Sequence, residues 1–203
     1  MRFLKKPELP VSDVDIFRQC IESYDEDQSK YARLQKCEDA VSTDTGKYRE
    51  AVLAGTFKMS PLPKNVTKKE LKNVYAETFV KEDKPGRVYY ELIRGTAVCA
   101  KCPICGSQGA DTHLDHYLPK SWFPTLCVMP YNLIPVCESC NKKKSTNYSF
   151  NESKRPLHLY FDELPTAPDS RGKLVQETFL YAKLQKEFQV TFHVKCPDHW
   201  SAA

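Results

Sequence analysis

Apolar residues in the first half of the chain recur at intervals of three and four, the spacing that gathers them on one face of an α-helix. Val14, Phe17, Ile21 and Tyr24 form such a series behind Ser12, whose short hydroxyl side chain suits a helix N-cap. Tyr31, Leu34 and Val41 continue in the same style, and Tyr48 and Val52 resume it after Gly46. Residues 59–64, with prolines at 61 and 63, read as a linker or extended turn. Thr67 and Glu70 are spaced as a capping box ahead of the stripe Leu71, Val74, Tyr75 and Phe79, which Pro85 and Gly86 are expected to end. Tyr89, Leu92 and Ile93 predict one more short helix.

The pattern changes towards the C-terminus. Residues 157–161 (Leu157, His158, Leu159, Tyr160, Phe161) look strand-like before a proline-rich turn, and residues 170–172 read as a loop. Residues 188–194 alternate apolar and polar side chains, the signature of a half-buried strand. The chain stops soon afterwards, as a truncated protein would. No repeat or low-complexity tract is present.

At 203 residues the chain suits one medium domain, or a small module with helical additions. Its hydrophobic fraction of 41% and charged fraction of 28% are ordinary for a soluble protein. No apolar run approaches the roughly 20 residues that span a bilayer. The start, Met1-Arg2-Phe3-Leu4-Lys5-Lys6-Pro7, lacks the apolar stretch of a secretory signal. A soluble, cytoplasmic protein with no membrane partner is expected. A net charge of +4 permits a polyanionic partner without requiring one, since a solvated surface with a slight lysine excess gives the same figure.

Nine cysteines change the picture. In a reducing compartment they do not form a disulfide framework. Cys102/Cys105 and Cys137/Cys140 are two CxxC pairs, while Cys20, Cys37, Cys99, Cys127 and Cys196 stand outside that pattern. Each CxxC turn lets two thiolates reach one ion, and Zn²⁺ takes a tetrahedral sulfur set. Two such pairs make a closed four-cysteine site with no position left for substrate, so the zinc is structural. The plainer alternative is four unrelated buried cysteines. Cys99 has the wrong spacing for a CxxC turn, and Cys127 reads as a small core residue.

The loop between the pairs decides whether the module also does chemistry. It carries Thr112-His113-Leu114-Asp115-His116-Tyr117-Leu118-Pro119-Lys120 and then Asn132-Leu133, and Asn141-Lys142-Lys143-Lys144 follows the last cysteine. Phosphodiester hydrolysis needs an activated water, a cation beside the phosphate and help for the leaving oxygen. His116 suits the base, because a neutral imidazole accepts a proton near neutral pH. Asp115 supplies a hard anionic oxygen for Mg²⁺ or Mn²⁺, and Asn141 a neutral one. Asn132 cannot act as a base; its amide is expected to hydrogen-bond His116 and fix the ring. Each has a bland alternative: Asp115 a turn or cap, Asn141 an N-cap, His116 a satisfied structural histidine.

At these residues the chain resembles the HNH endonucleases, whose pattern is Asp-His-x-x-Pro, then Asn-Leu, then Cys-x-x-Cys-Asn-x-x-Lys. The match covers residues 102–144. The resemblance implies an α+β fold: a ββα-metal module with structural zinc, the same four roles for Asp115, His116, Asn132 and Asn141, and one catalytic ion. Together with the patterns on either side, the chain divides into a helical region at 1–95 for packing or partner docking, the nuclease module at 96–146, and a small α/β extension at 147–203. The flanking helices and the wording Asp-His-Tyr-Leu-Pro-Lys-Ser look like a bacterial subfamily found with antiphage defence systems, which implies an ATPase partner.

Lys120, Lys142, Lys143 and Lys144 are candidate phosphate contacts, though a lysine run is as readily a solvated face. His113 lies two residues before Asp115 and shares its face on a strand, as an additional metal or phosphate contact or, more plainly, an exposed or hydrogen-bonded histidine. The glycines common after the Asp-His motif are replaced by Trp122-Phe123-Pro124, and Trp122 is read as core rather than as a base-stacking platform. His158, His193 and His199 carry no motif. The expected function is a metal-dependent endonuclease acting on duplex DNA. The alternatives are a non-catalytic zinc module binding nucleic acid or protein, and a nuclease of the same type acting on RNA such as tRNA.

Overall fold

The computed structural model describes residues 4–107, 112–151 and 154–162, together with four C-terminal strands of which only the backbone is described. Helix α1 (Asp13–Glu22) begins where the Ser12 hydroxyl accepts from the Asp15 amide, and it buries Ile16, Phe17, Cys20 and Ile21. Asp27 caps α2 (Gln28–Gln35) in the same way, its carboxylate accepting from the Lys30 amide at 2.9 Å. Helix α3 (Glu38–Leu53) continues through Gly46 and buries Val41, Tyr48 and Val52.

The Thr67–Glu70 capping box forms and opens α4 (Lys68–Val74). The expected stripe then continues through a π-helical turn, Tyr75–Phe79. There the Thr78 hydroxyl donates back to the Val74 carbonyl at 2.7 Å and the Val80 amide reaches Tyr75 O at 3.0 Å, widening the turn. Gly86 then lets the chain pass closely: a Cβ there would lie 2.6 Å from Thr78 O and 2.8 Å from Cys20 Sγ. Helix α5 (Arg87–Arg94) buries Tyr89, Tyr90 and Ile93. Leu92, placed in its apolar stripe by spacing, is instead exposed, and Tyr90 takes the inward position.

Strands β1 (Thr112–His116) and β2 (Leu133–Cys137) pair antiparallel, with Asp115 opposite Ile134 and His116 opposite Leu133, and α6 (Glu138–Lys144) follows directly. This is the ββα arrangement. Two apolar cores lie on either side of it. Leu114, Cys127, Val128 and Leu133 pack with residues of α1 to α5, while Ile134, Val136 and Cys137 pack with Tyr48, Phe57, Tyr117, Leu118 and Phe123. The N-terminal helices therefore share both cores with the β-hairpin.

The segment read as a strand at residues 157–161 is an irregular turn. Arg155 holds Asp162 through two bonds of 2.8 and 2.9 Å, and the Oδ2 that accepts from Arg155 Nη1 also takes the His158 amide at 2.6 Å. That closure folds the chain back, and His158, Leu159 and Tyr160 are buried in succession rather than alternately.

Contacts divide the chain between residues 162 and 163. In the second unit, β3 (Thr166–Pro168) pairs antiparallel with β4 (Leu174–Gln176), and β5 (Leu180–Leu184) with β6 (Val190–Val194). The alternation at 190–194 is thus a strand, whereas the loop at 170–172 and residues 188–189 lie outside the described residues. No described helix is long and apolar enough to cross a membrane.

One buried charge ties α3 to the loop of the hairpin. Asp44, fully buried, accepts from the Ser60 amide at 3.0 Å, the Ser60 hydroxyl at 2.7 Å and the Thr125 hydroxyl at 2.6 Å, and pairs with Lys47 at 2.8 Å. Asp44→Ala strands those donors and is expected to lower stability by about 3 kcal/mol, as loss of one partner of a buried charged network does. Urea unfolding of the two proteins measures it.

Candidate functional site

The four CxxC sulfurs converge, all lying within 4.8 Å of one another, with Cys105 and Cys137 Sγ 3.7 Å apart. A tetrahedral site with metal–sulfur bonds of about 2.3 Å places its sulfurs about 3.8 Å apart, so the donor set fits Zn²⁺. Gly106, at φ 76°, makes the tight turn of the first knuckle, its amide returning to Cys102 O at 2.8 Å. Hydrogen bonding with Ser107 pulls the Cys105 thiol down to about 6, and the Cys140 amide lowers Cys137. Burial holds Cys140 up. Cys137 Sγ also caps α6 by accepting from the Cys140 amide at 3.5 Å, so the knuckle sets the helix that carries Asn141. Cys99 is exposed and outside this cluster; Cys20, Cys37 and Cys127 are core residues, and Cys127 donates to Leu71 O at 3.1 Å.

Beside the knuckle, a cleft of about 440 Å³ is lined by Asp115, His116, Lys120 and Asn141 from the motif, and by Lys72 and Tyr75 from the helical region. His113 also lines it and is exposed. Asp115 is buried and pairs with Lys144 Nζ at 3.0 Å. Burial raises its carboxyl despite that cation. An anionic oxygen and an amide oxygen opening on one cleft fit a hard divalent cation.

His116 is fixed by two contacts. Its Nε2 lies 2.8 Å from Cys127 O, and the Tyr75 ring meets it edge-on at 4.6 Å. A carbonyl only accepts, so Nε2 carries the proton and Nδ1 keeps the free lone pair. Burial, with Lys120 nearby, holds the imidazole down at about 3, so it is neutral at physiological pH.

Asn132 does not hold the His116 ring. Its oxygen accepts from the Leu118 amide at 2.8 Å and the Tyr48 hydroxyl at 2.9 Å, and its nitrogen donates to Leu118 O and Leu126 O at 3.1 and 3.2 Å. Both donors and both lone pairs are spent. Asn132 instead pins the loop that leaves the Asp-His pair. Lys144 is equally committed inside: besides Asp115 it donates to His116 O at 2.6 Å. Lys120 sits over the Tyr75 ring at 4.2 Å, its ammonium depressed by burial. Lys142 pairs with Glu138, and Lys143 is exposed.

Spacing gave no sign of Lys72, of Tyr75 as a cleft wall, or of the buried chain behind Asn132. The Tyr160 amide donates to His158 Nδ1 at 3.3 Å, so His158 Nε2 donates to the Tyr48 hydroxyl at 3.1 Å, which donates to Asn132. His193 and His199 offer nothing to set beside this: the side chain of the first and the whole of the second lie outside the described residues.

Burial holds His158 down at about 3, against an ordinary value of 6.5. The unfolded chain therefore binds a proton that the folded one refuses. Stability from this group is complete above about pH 6.5 and falls by about 1.4 kcal/mol per unit below it. At pH 5 the loss is about 2 kcal/mol, and His158→Gln is expected to flatten that part of the stability-versus-pH curve in thermal melts.

Trp122 is not a core residue: it is 43% exposed, and its neighbour Phe123 is buried in its place.

Residues 102–147 match the HNH endonuclease family model. Protein ea31 of Escherichia phage lambda is 31% identical over 139 residues, covering 67% of this chain and 44% of that protein. Septu protein PtuB of Bacillus thuringiensis is 34% identical over 71 residues, covering 33% of this chain and 28% of its own. The chain spans less than half the length of either relative. No solved structure matches it.

Proposed function

We propose that this chain, whose residues 102–147 are an HNH endonuclease domain, is a metal-dependent nuclease that hydrolyses phosphodiester bonds in DNA. The observation that carries the reading is that Asp115, His116 and Asn141, from a strand and a helix, line one cleft. His116 is the base: the Cys127 carbonyl accepts from its Nε2–H, and Nδ1 is left to take the proton of the attacking water, on a ring that burial makes a weak base. Asp115 and Asn141 are the residues that would hold Mg²⁺ or Mn²⁺, which neutralises phosphate charge and lowers the pKa of bound water. Asn132 acts as a positioning residue through the Leu118 loop, and Lys144 through Asp115 and the His116 carbonyl. Lys120, Lys142 and Lys143 offer cations to the substrate backbone, affinity without sequence choice that salt weakens. The four thiolates hold a structural Zn²⁺.

A cytoplasmic antiphage role with an ATPase partner completes the proposal. It rests on the resemblance in the motif wording and on the similarity to a Septu protein. Similarity to a phage protein as well means that co-purification with the products of neighbouring genes is the test of this setting.

The activity is tested by incubating zinc-loaded protein with supercoiled plasmid and, in parallel, with tRNA. Nicking or linearisation of the plasmid that requires added Mg²⁺ or Mn²⁺ is expected. Cleavage of tRNA alone would move the substrate to RNA. Hydrolysis of neither would leave a non-catalytic zinc module.

A further inference from the structure

Trp122 and Phe150 lie nearly parallel, 19° apart with centroids separated by 6.5 Å, and each is 43% exposed. Phe123 braces both from the buried side, and Tyr148 meets Phe150 edge-on at 5.0 Å. A groove of about 360 Å³ opens beside two of these rings, lined by Trp122, Tyr148, Thr146 and Lys154. Thr146 also lines the cleft of His116, as does Ser121, the residue before Trp122. The groove and the candidate active site therefore meet at one wall. Phe123, Leu118 and Phe57 already fill the core here, so the exposed indole contributes little to it. An aromatic surface beside a cation, continuous with a phosphodiester-cleaving cleft, is the chemistry that receives a nucleobase and its phosphate.

We propose that the Trp122 groove seats an unpaired base of the substrate strand next to the scissile phosphate. Within a duplex both faces of every base are covered by stacked neighbours, so only an unpaired or extruded base lies flat on an indole. Lys154 takes the phosphate of that nucleotide. The inference rests on the nuclease reading and narrows its substrate to strands with an unpaired nucleotide beside the cut: single strands, flaps, junctions or locally melted duplex.

The test uses the full chain carrying His116→Ala, so that binding is measured without cleavage. Fluorescence anisotropy compares a labelled oligothymidylate with a blunt duplex of the same length. Trp122→Leu, which keeps apolar volume but removes the ring, is expected to weaken single-strand binding roughly tenfold, as loss of one stacked base does. Duplex binding is expected to change less than twofold, and Trp122→Phe to restore most of the single-strand affinity. Zinc content and circular dichroism establish that the variants fold. Unchanged single-strand affinity in Trp122→Leu, or an equal loss on both substrates, overturns the proposal while leaving the nuclease reading intact. A parent protein that binds neither substrate overturns both.

Discussion

Replacing Cys102 with serine is expected to empty the metal site and release the module around the cleft. Zinc in four-cysteine sites supplies apparent binding energy of about 10–16 kcal/mol, comparable to the whole stability of a domain at about 5–15 kcal/mol. Cys102 is fully buried at the junction of the knuckle with Tyr117, Val136 and Cys137, so a serine there leaves both an open ligand position and a hydroxyl in an apolar setting. Zinc per chain should fall from one to none by elemental analysis, and the melting temperature by about 10 °C or more. The loss should be uneven. Helix α6 depends on Cys137 for its cap, whereas α1 and α4 pack in a core that contains none of the four ligands. Limited proteolysis is therefore expected to cut first near residues 102–107 and 138–151, with much of the helical circular dichroism retained. A variant that keeps its zinc and its melting temperature would remove the knuckle from the folding argument.

His116→Ala is expected to lower the cleavage rate by about 10²- to 10⁴-fold, the range for loss of a positioned general base. Its structural cost is smaller, because one hydrogen bond to Cys127 O and one edge contact with Tyr75 are lost beside an open cleft. Zinc content should be unchanged and the melting temperature lower by only a few degrees. Single-turnover cleavage at saturating metal reads the chemical step alone. A variant as fast as the parent would show that water is activated without His116.

Much of this was legible in the sequence, and the legible parts share a cause. Capping by Ser12 and by Thr67 with Glu70 is local, as is the three-four spacing of Phe17, Ile21, Leu71 and Val74, and so each formed as spaced. The CxxC pairs were readable because their spacing is that of a metal-binding turn, and Asp115, His116 and Asn141, in register with them, line one cleft. What stayed hidden depends on long-range partners. Residues 157–161 carry strand-like side chains, but the pairing of Arg155 with Asp162 turns the chain before a ladder can form. Asn132 was placed in the site for the wrong bonds, because Leu118, Leu126 and Tyr48 come to it only through the folded loop and α3. Lys72 and Tyr75 belong to a helical region whose pattern reports burial and nothing of the cleft it walls. Trp122 fell outside the core because Phe123, one residue on, occupies the space first.

The proposed chemistry requires Asp115 and Asn141 to present their oxygens to one ion beside His116. Titration of Mn²⁺ into zinc-loaded protein, followed by electron paramagnetic resonance, tests this most directly. One bound Mn²⁺ per chain is predicted for the parent and for Lys142→Ala, none for Asp115→Ala, and weakened binding for Asn141→Ala. Undiminished Mn²⁺ binding in Asp115→Ala would contradict it.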